Sequence, residues 1–317
     1  MNNLSIPCPD TTREERVRDA HQNRALRLVR QDDWGKLITL ITTADRDRSL
    51  TPGGMCVAEL MAFGARADVV LAIEHALLDR VPEKDAPMMR GIEALEYVLE
   101  DYPSNYVIGC IVAQAHIDIA WSWRGIGWDV EIAPRNREAF EAHFARARDI
   151  IASFEGVPAE SALLASTACA LLRGENYSTE AVADRYESLI DLNSKNIAPF
   201  RALGTHMLPL WYGSYAALEL EARCTAIGSQ SEWGAAATLG SCLTRSAWTT
   251  KPAHGLISNS SSKGCATLSN ADPTPIPSTC WPRIAPTRWV KPTLATMPPI
   301  IHALKLRPAL TGSYVNT

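Results

Sequence analysis

The residues best placed for chemistry lie in one apolar run, Tyr106 to Trp123, which carries Gln114, His116 and Asp118. An imidazole next to a carboxylate is the usual equipment for moving a proton. On a helix, however, residues two apart point to nearly opposite sides. His116 and Asp118 are therefore read as buried groups, each needing a partner from another helix. The same run ends in Trp121-Ser-Trp-Arg-Gly-Ile-Gly-Trp128, where aromatic rings surround an arginine. Trp123, Arg124 and Trp128 have the composition of a recognition hot spot, and packing of a helix end against its neighbour is the plainer reading. Trp211 and Tyr212 form a second pair, beside a turn. These five residues are the expected partner-binding set.

Other chemistries are missing from the pattern. Cys56, Cys110, Cys169 and Cys224 each stand alone among apolar residues, a spacing that suits burial rather than a metal site. Neither GxGxxG nor GxxxxGK[ST] occurs, and no GxSxG elbow is present. The sequence thus predicts no catalytic residue, no bound metal and no cofactor. Arg13, Arg16, Arg24, Arg27 and Arg30 fall within about a third of the first helix's circumference. Such a stripe suits phosphates, yet Glu14, Glu15 and Asp19 dilute it and the surrounding chain is acidic. A solvated face is expected there, with no nucleic-acid partner.

The elements that must carry these residues are helices. Thr12 to Arg30 reads as one, with acidic residues in its first turn. Asp32 is placed to cap a second, bearing Trp34, Leu37, Ile38 and Ile41. After the Pro52-Gly-Gly54 turn come Val57, Leu60 and Met61, then Val69 to Leu78. Met88 to Leu99 precedes Tyr102-Pro103. Tyr106 to Trp123 is apolar almost all round, which puts it in the middle of the fold. Phe140, Phe144, Ile150 and Ile151 mark another helix, followed by the Ala-rich Ala159 to Leu172 and by Ser178 to Leu192. No credible strand pattern precedes residue 225. The expected fold class is all-α, an array of about ten helices over residues 11–225, after a disordered start at residues 1–10.

The last part of that array has the plainest repeat grammar. Tyr186, Leu189 and Ile190 share one helical face, and Asp191 to Asn196 is rich in turn formers. Phe200, Leu203, Gly204, Met207 and Leu208 follow, then Pro209, Gly213 and a capping Ser214 before Leu218 and Leu220. This layout resembles the tetratricopeptide repeat, a 34-residue pair of antiparallel helices. Phe200, Leu203, Gly204 and Met207 fall where the family's first helix has its aromatic, Leu, Gly and Tyr. Ala216 and Leu220 match its second helix; Arg223 and Gly228 depart from the pattern, and the likeness covers about residues 180–225. The phrase Pro209-Leu-Trp-Tyr-Gly-Ser214 also resembles a turn of some bacterial helical-repeat proteins. The resemblance implies a concave groove that holds a peptide or partner helix.

Charge divides the chain. Residues 1–225 carry a net charge of −10, and residues 226–317 carry +6 with half of the prolines. Ser258 to Ser262 and Pro273 to Pro277 exclude helix there. Two readings fit the segment: a disordered Ser/Thr/Pro-rich tail, or the product of a shifted reading frame, which its Cys and Trp content favours. The polar Met1 to Arg18 lacks a secretory signal, and eight scattered Cys fit a reducing cytoplasm. Gln114, His116 and Asp118 argue against a membrane span. The expected function is a non-catalytic protein-interaction scaffold. The alternative is a helical enzyme or small-ligand binder with a central cavity around His116 and Asp118.

Overall fold

Eleven α-helices account for the described residues of the computed structural model, which are 12–78, 88–125, 132–154, 160–174, 177–209 and 213–233. They run α1 (Arg13–Arg30), α2 (Trp34–Arg46), α3 (Val57–Leu78), α4 (Met88–Asp101), α5 (Tyr106–Arg124), α6 (Pro134–Ala152), α7 (Ala162–Leu171), α8 (Thr179–Leu192), α9 (Ala198–His206), α10 (Tyr215–Gly228) and α11 (Gln230–Trp233). A 3-10 turn, Leu172–Gly174, follows α7. Among the described residues the β geometry is limited to an isolated antiparallel bridge between Leu50 and Cys56. The expected all-α class is what forms. The expected disordered start (1–10) and the segment after Trp233 lie outside the described residues.

The helices begin where side chains take up their first amides. Thr12 Oγ1 accepts from Glu15 N while Glu15 Oε2 accepts from Thr12 N, a reciprocal capping box. Asp33, rather than the expected Asp32, caps α2 through Lys36 N. Asn105, Ser161, Ser178 and Ser214 do the same for α5, α7, α8 and α10. The stretches read as separate pieces at Val57–Met61 and Val69–Leu78 form one continuous helix, α3, because nothing between them breaks the backbone.

Packing follows an alternation. α1, α3, α5 and α7 lie against one another in succession, and α2, α4, α6 and α8 each pack on the odd-numbered helix that follows. α5 is the centre: Val107 through Ala113 are all buried, so this helix has apolar neighbours around most of its circumference. Two glycines permit close approaches between the central helices and their neighbours. A Cβ on Gly64 in α3 would sit 2.2 Å from the Gln22 carbonyl oxygen of α1, and one on Gly109 would sit 2.2 Å from the Phe154 ring.

A buried carboxylate joins the helices end to end. Asp45, near the end of α2 and 2% exposed, accepts from Ser161 Oγ at 2.6 Å, Leu163 N at 3.0 Å and Tyr106 Oη at 3.1 Å. Arg48 lies 3.4 Å from the same carboxylate and donates to the Leu192 carbonyl at 3.0 Å and to the Glu160 carbonyl. One acidic group thus ties α2 to the starts of α5 and α7, while its arginine reaches the end of α8.

Asp45→Ala leaves Arg48 without its carboxylate and α7 without an acceptor, so it should cost about 3–5 kcal/mol, read as a loss of urea stability. Gly64→Ala should destabilise by about 1–3 kcal/mol because backbone, not a flexible side-chain tip, meets the new methyl. Gly35→Ala, where nothing lies within 4 Å, should instead stabilise by about 0.5–1 kcal/mol. Equal effects from the two glycine changes would contradict the packing described.

Candidate functional site

The second half of α5 turns its polar residues toward four different helices. Gln114 Nε2 donates to Thr167 Oγ1 of α7 at 2.8 Å. His116, two residues on, faces α4 and α6: its Nε2 lies 2.7 Å from Glu96 Oε1 and its Nδ1 lies 2.8 Å from His143 Nδ1. Asp118 faces α3, accepting from Arg66 Nε at 2.6 Å. His116 and Asp118 do not meet each other, as the helix period requires. His116 is 6% exposed and both its ring nitrogens are engaged.

Around His116 the charges are ordered. Glu96 also accepts from Arg146, at 2.8 Å to Nε and 2.5 Å to Nη2. Burial disfavours its charged form, but hydrogen bonds from Arg146 and His116 outweigh that and hold its carboxyl down at about 2. His143 is pushed down to about 4, first by burial and then by the His116 charge. With Glu96 ionised, His116 keeps a proton on Nε2, and one further proton serves the hydrogen bond between the two Nδ1 atoms. The result is a carboxylate–imidazole–imidazole chain that runs from the α4 ion pair to half-buried His143.

Around Asp118 lies a second polar cluster. The Arg66 guanidinium sits 5.2 Å from the Phe63 ring centroid, and its Nη1 is buried without a hydrogen-bond partner. Burial raises the Glu59 carboxyl, with Ser166 and Arg66 pulling the other way. Cys110, fully buried nearby, is pushed up to about 12 by the same desolvation.

At the end of α5 the aromatic residues are half-buried. Trp121 packs edge-on against Phe140 and Phe144 of α6, at centroid distances of 5.1 and 5.8 Å. Arg124 lies over the Trp121 ring at 5.6 Å, and Arg135 over Trp123 at 5.3 Å. Of the expected partner-binding residues, Trp123 and Arg124 therefore both lie at the end of α5, each in contact with a different partner, Arg135 and Trp121. Trp128, Trp211 and Tyr212 lie outside the described residues.

Three residues invisible as candidates in the sequence complete this region: Glu96, His143 and Arg66. Only the folded chain brings Glu96 of α4 to His116. The cysteines divide. Cys56, Cys110 and Cys169 are buried, whereas Cys224 is exposed, against expectation, because it sits on the face of α10 turned away from α8 and α9. The arginine stripe of α1 is exposed throughout, with Arg30 held by Asp68 at 2.7 Å. Among the described residues, no group of three or more His, Cys, Asp or Glu is placed to hold a metal ion. None of the described helices is long and apolar enough to cross a membrane.

Set against family models, curated proteins and solved structures, the chain matches none of them.

His143 binds its proton less readily folded than unfolded, so it favours the folded state fully above pH about 6.5. That contribution disappears as the pH falls through about 4. His206, likewise pushed down to about 4, adds with the same sign. Stability should therefore fall between pH 6.5 and 4, and His143→Asn should remove roughly half of that slope in urea titrations across the window. An unchanged slope would show that His143 is not held neutral by its neighbours.

Proposed function

We propose that the chain is a non-catalytic helical-array scaffold that binds a peptide or partner helix through the aromatic edge of α5 and α6. The observation that carries this reading is the contrast along α5. His116 and Asp118 are engaged inside the fold, while Trp121, Trp123 and Arg124 remain half-buried at its end. Large rings with an arginine across them are the side chains that dominate protein interfaces, because they bury much area at little entropic cost. The alternation of odd and even helices is what hairpins stacked side by side require. The tetratricopeptide-like layout over residues 180–225 belongs to the same proposal, as does a cytoplasmic location.

One observation favours a second reading, a helical enzyme or small-ligand binder centred on His116 and Asp118. It is the Glu96–His116–His143 chain, in which a carboxylate orients one imidazole against another. Its requirement is an access route to His143, the half-buried end of the chain.

The test compares proteins crosslinked to the wild-type chain with those crosslinked to a Trp123→Ala, Arg124→Ala variant. A hot-spot residue is worth about 2 kcal/mol, roughly thirtyfold in affinity. The double variant should lose a captured partner by at least that factor while its melting temperature moves only a few degrees. If every partner survives the substitutions, the α5/α6 edge is not the binding site. If His143→Asn abolishes binding of a small molecule instead, the second reading stands.

A further inference from the structure

Away from α5, the junction of α7, α8 and α9 holds a cation that no carboxylate among the described residues answers. Arg173, in the 3-10 turn after α7, is half-buried, and its Nε is buried without a hydrogen-bond partner. No described carboxylate forms an ion pair with it. Its neighbours are proton-bearing groups. Tyr186 of α8 is 2% exposed, and its hydroxyl lies beside the guanidinium. His206 at the end of α9 is 4% exposed, stands edge-on to Tyr186 at 6.1 Å, and has Nδ1 buried with no partner. The Cys169 thiol also feels the Arg173 charge.

Buried charges in folded proteins are paired, and buried donors find acceptors. Here the guanidinium has an orphaned Nε, and a phenol and an orphaned imidazole nitrogen stand beside it. Guanidinium N–H, phenol O–H and imidazole N–H are all donors, and what satisfies three donors about a cation is an oxygen-rich anion. We propose that Arg173, Tyr186 and His206 form a binding site for a small oxyanion, a phosphate or a carboxylate, at the α7–α8–α9 junction. This assignment is independent of the scaffold reading.

The chemistry gives the site a signature. His206 is held neutral by burial and by the Arg173 charge, which push it down to about 4. An anion between the two offsets the Arg173 charge and itself favours the protonated ring, so occupancy moves the His206 titration upward. By linkage, the anion binds more tightly as the pH falls from 7 toward 5. The charged and titratable groups facing His206 are Arg173 from the 3-10 turn and Tyr186 from α8.

The experiment uses the full chain and inorganic phosphate, with potassium chloride at matched ionic strength as control and acetate as a second arm. At tenfold over its dissociation constant, phosphate should raise the melting temperature by about 2–5 °C above chloride. It should also shift the His206 ring resonances and their titration midpoint upward. Stronger protection by acetate than by phosphate assigns a carboxylate ligand; the reverse assigns a phosphate. Arg173→Gln, which removes an unanswered charge, should match or exceed the wild-type melting temperature in chloride and lose the anion-dependent rise. Two results overturn the proposal. One is a wild-type chain whose melting and His206 resonances ignore both anions. The other is an Arg173→Gln variant that still gains the full increment.

Discussion

The carboxylate of Asp45 is the constraint on which the arrangement depends. It stands at the amino end of α7, where the unbonded amides of the first turn and the helix dipole favour a negative charge. Ser161 caps that helix through Leu164 N and at the same time donates its own proton to Asp45. A single hydroxyl therefore fixes both the start of α7 and its distance from α2. At α5 the two tasks are divided: Asn105 caps the helix and Tyr106 donates to Asp45. Arg48 sits at a positive φ of 50°, an unusual conformation for a residue with a side chain. That turn brings its guanidinium back over Asp45 and out to two carbonyls. The strain is small beside the satisfaction of buried polar groups at four helix ends.

From that junction α5 runs through the middle of the helices, and its polar residues are aimed by the 100° step of the helix alone. Gln114, His116 and Asp118 reach α7, the α4/α6 pair and α3 in turn. Each finds a partner already fixed by its own helix. The polar residues of α5 thus form separate links to neighbouring helices. Links hold helices in register. The half-buried rings at the end of the same helix pack against the core on one side.

Much of the fold is legible in the sequence because helices announce themselves locally. Thr12 with Glu15, Ser178 and Ser214 are caps readable at a distance of three residues, and the all-apolar circumference of α5 places it centrally. The opposed directions of His116 and Asp118 also follow from spacing. What the sequence hides is long-range. Glu96, His143 and Arg66 are charged or polar residues on mixed faces, separated from their α5 partners by 20, 27 and 52 positions. Asp45 looks like one acid among several in Ala44-Asp-Arg-Asp-Arg48. Leu220, matched to an apolar position by the tetratricopeptide likeness, is 59% exposed, while Leu218 two residues earlier is buried. The periodicity marks both as apolar; only the placement of α9 decides which of them is covered.

The Asp45 junction also orders events in time. Its partners Ser161 and Leu163 lie 116 and 118 residues further along the chain. During synthesis, α1, α2 and α3 emerge long before the amides and hydroxyl that complete their junction. Until α7 arrives, Asp45 has only Tyr106 and Arg48 to answer it. Closing a loop of this length is slow compared with forming any single helix. The Asp45 junction is therefore completed late in synthesis, when Ser161 and Leu163 of the α7 start have emerged.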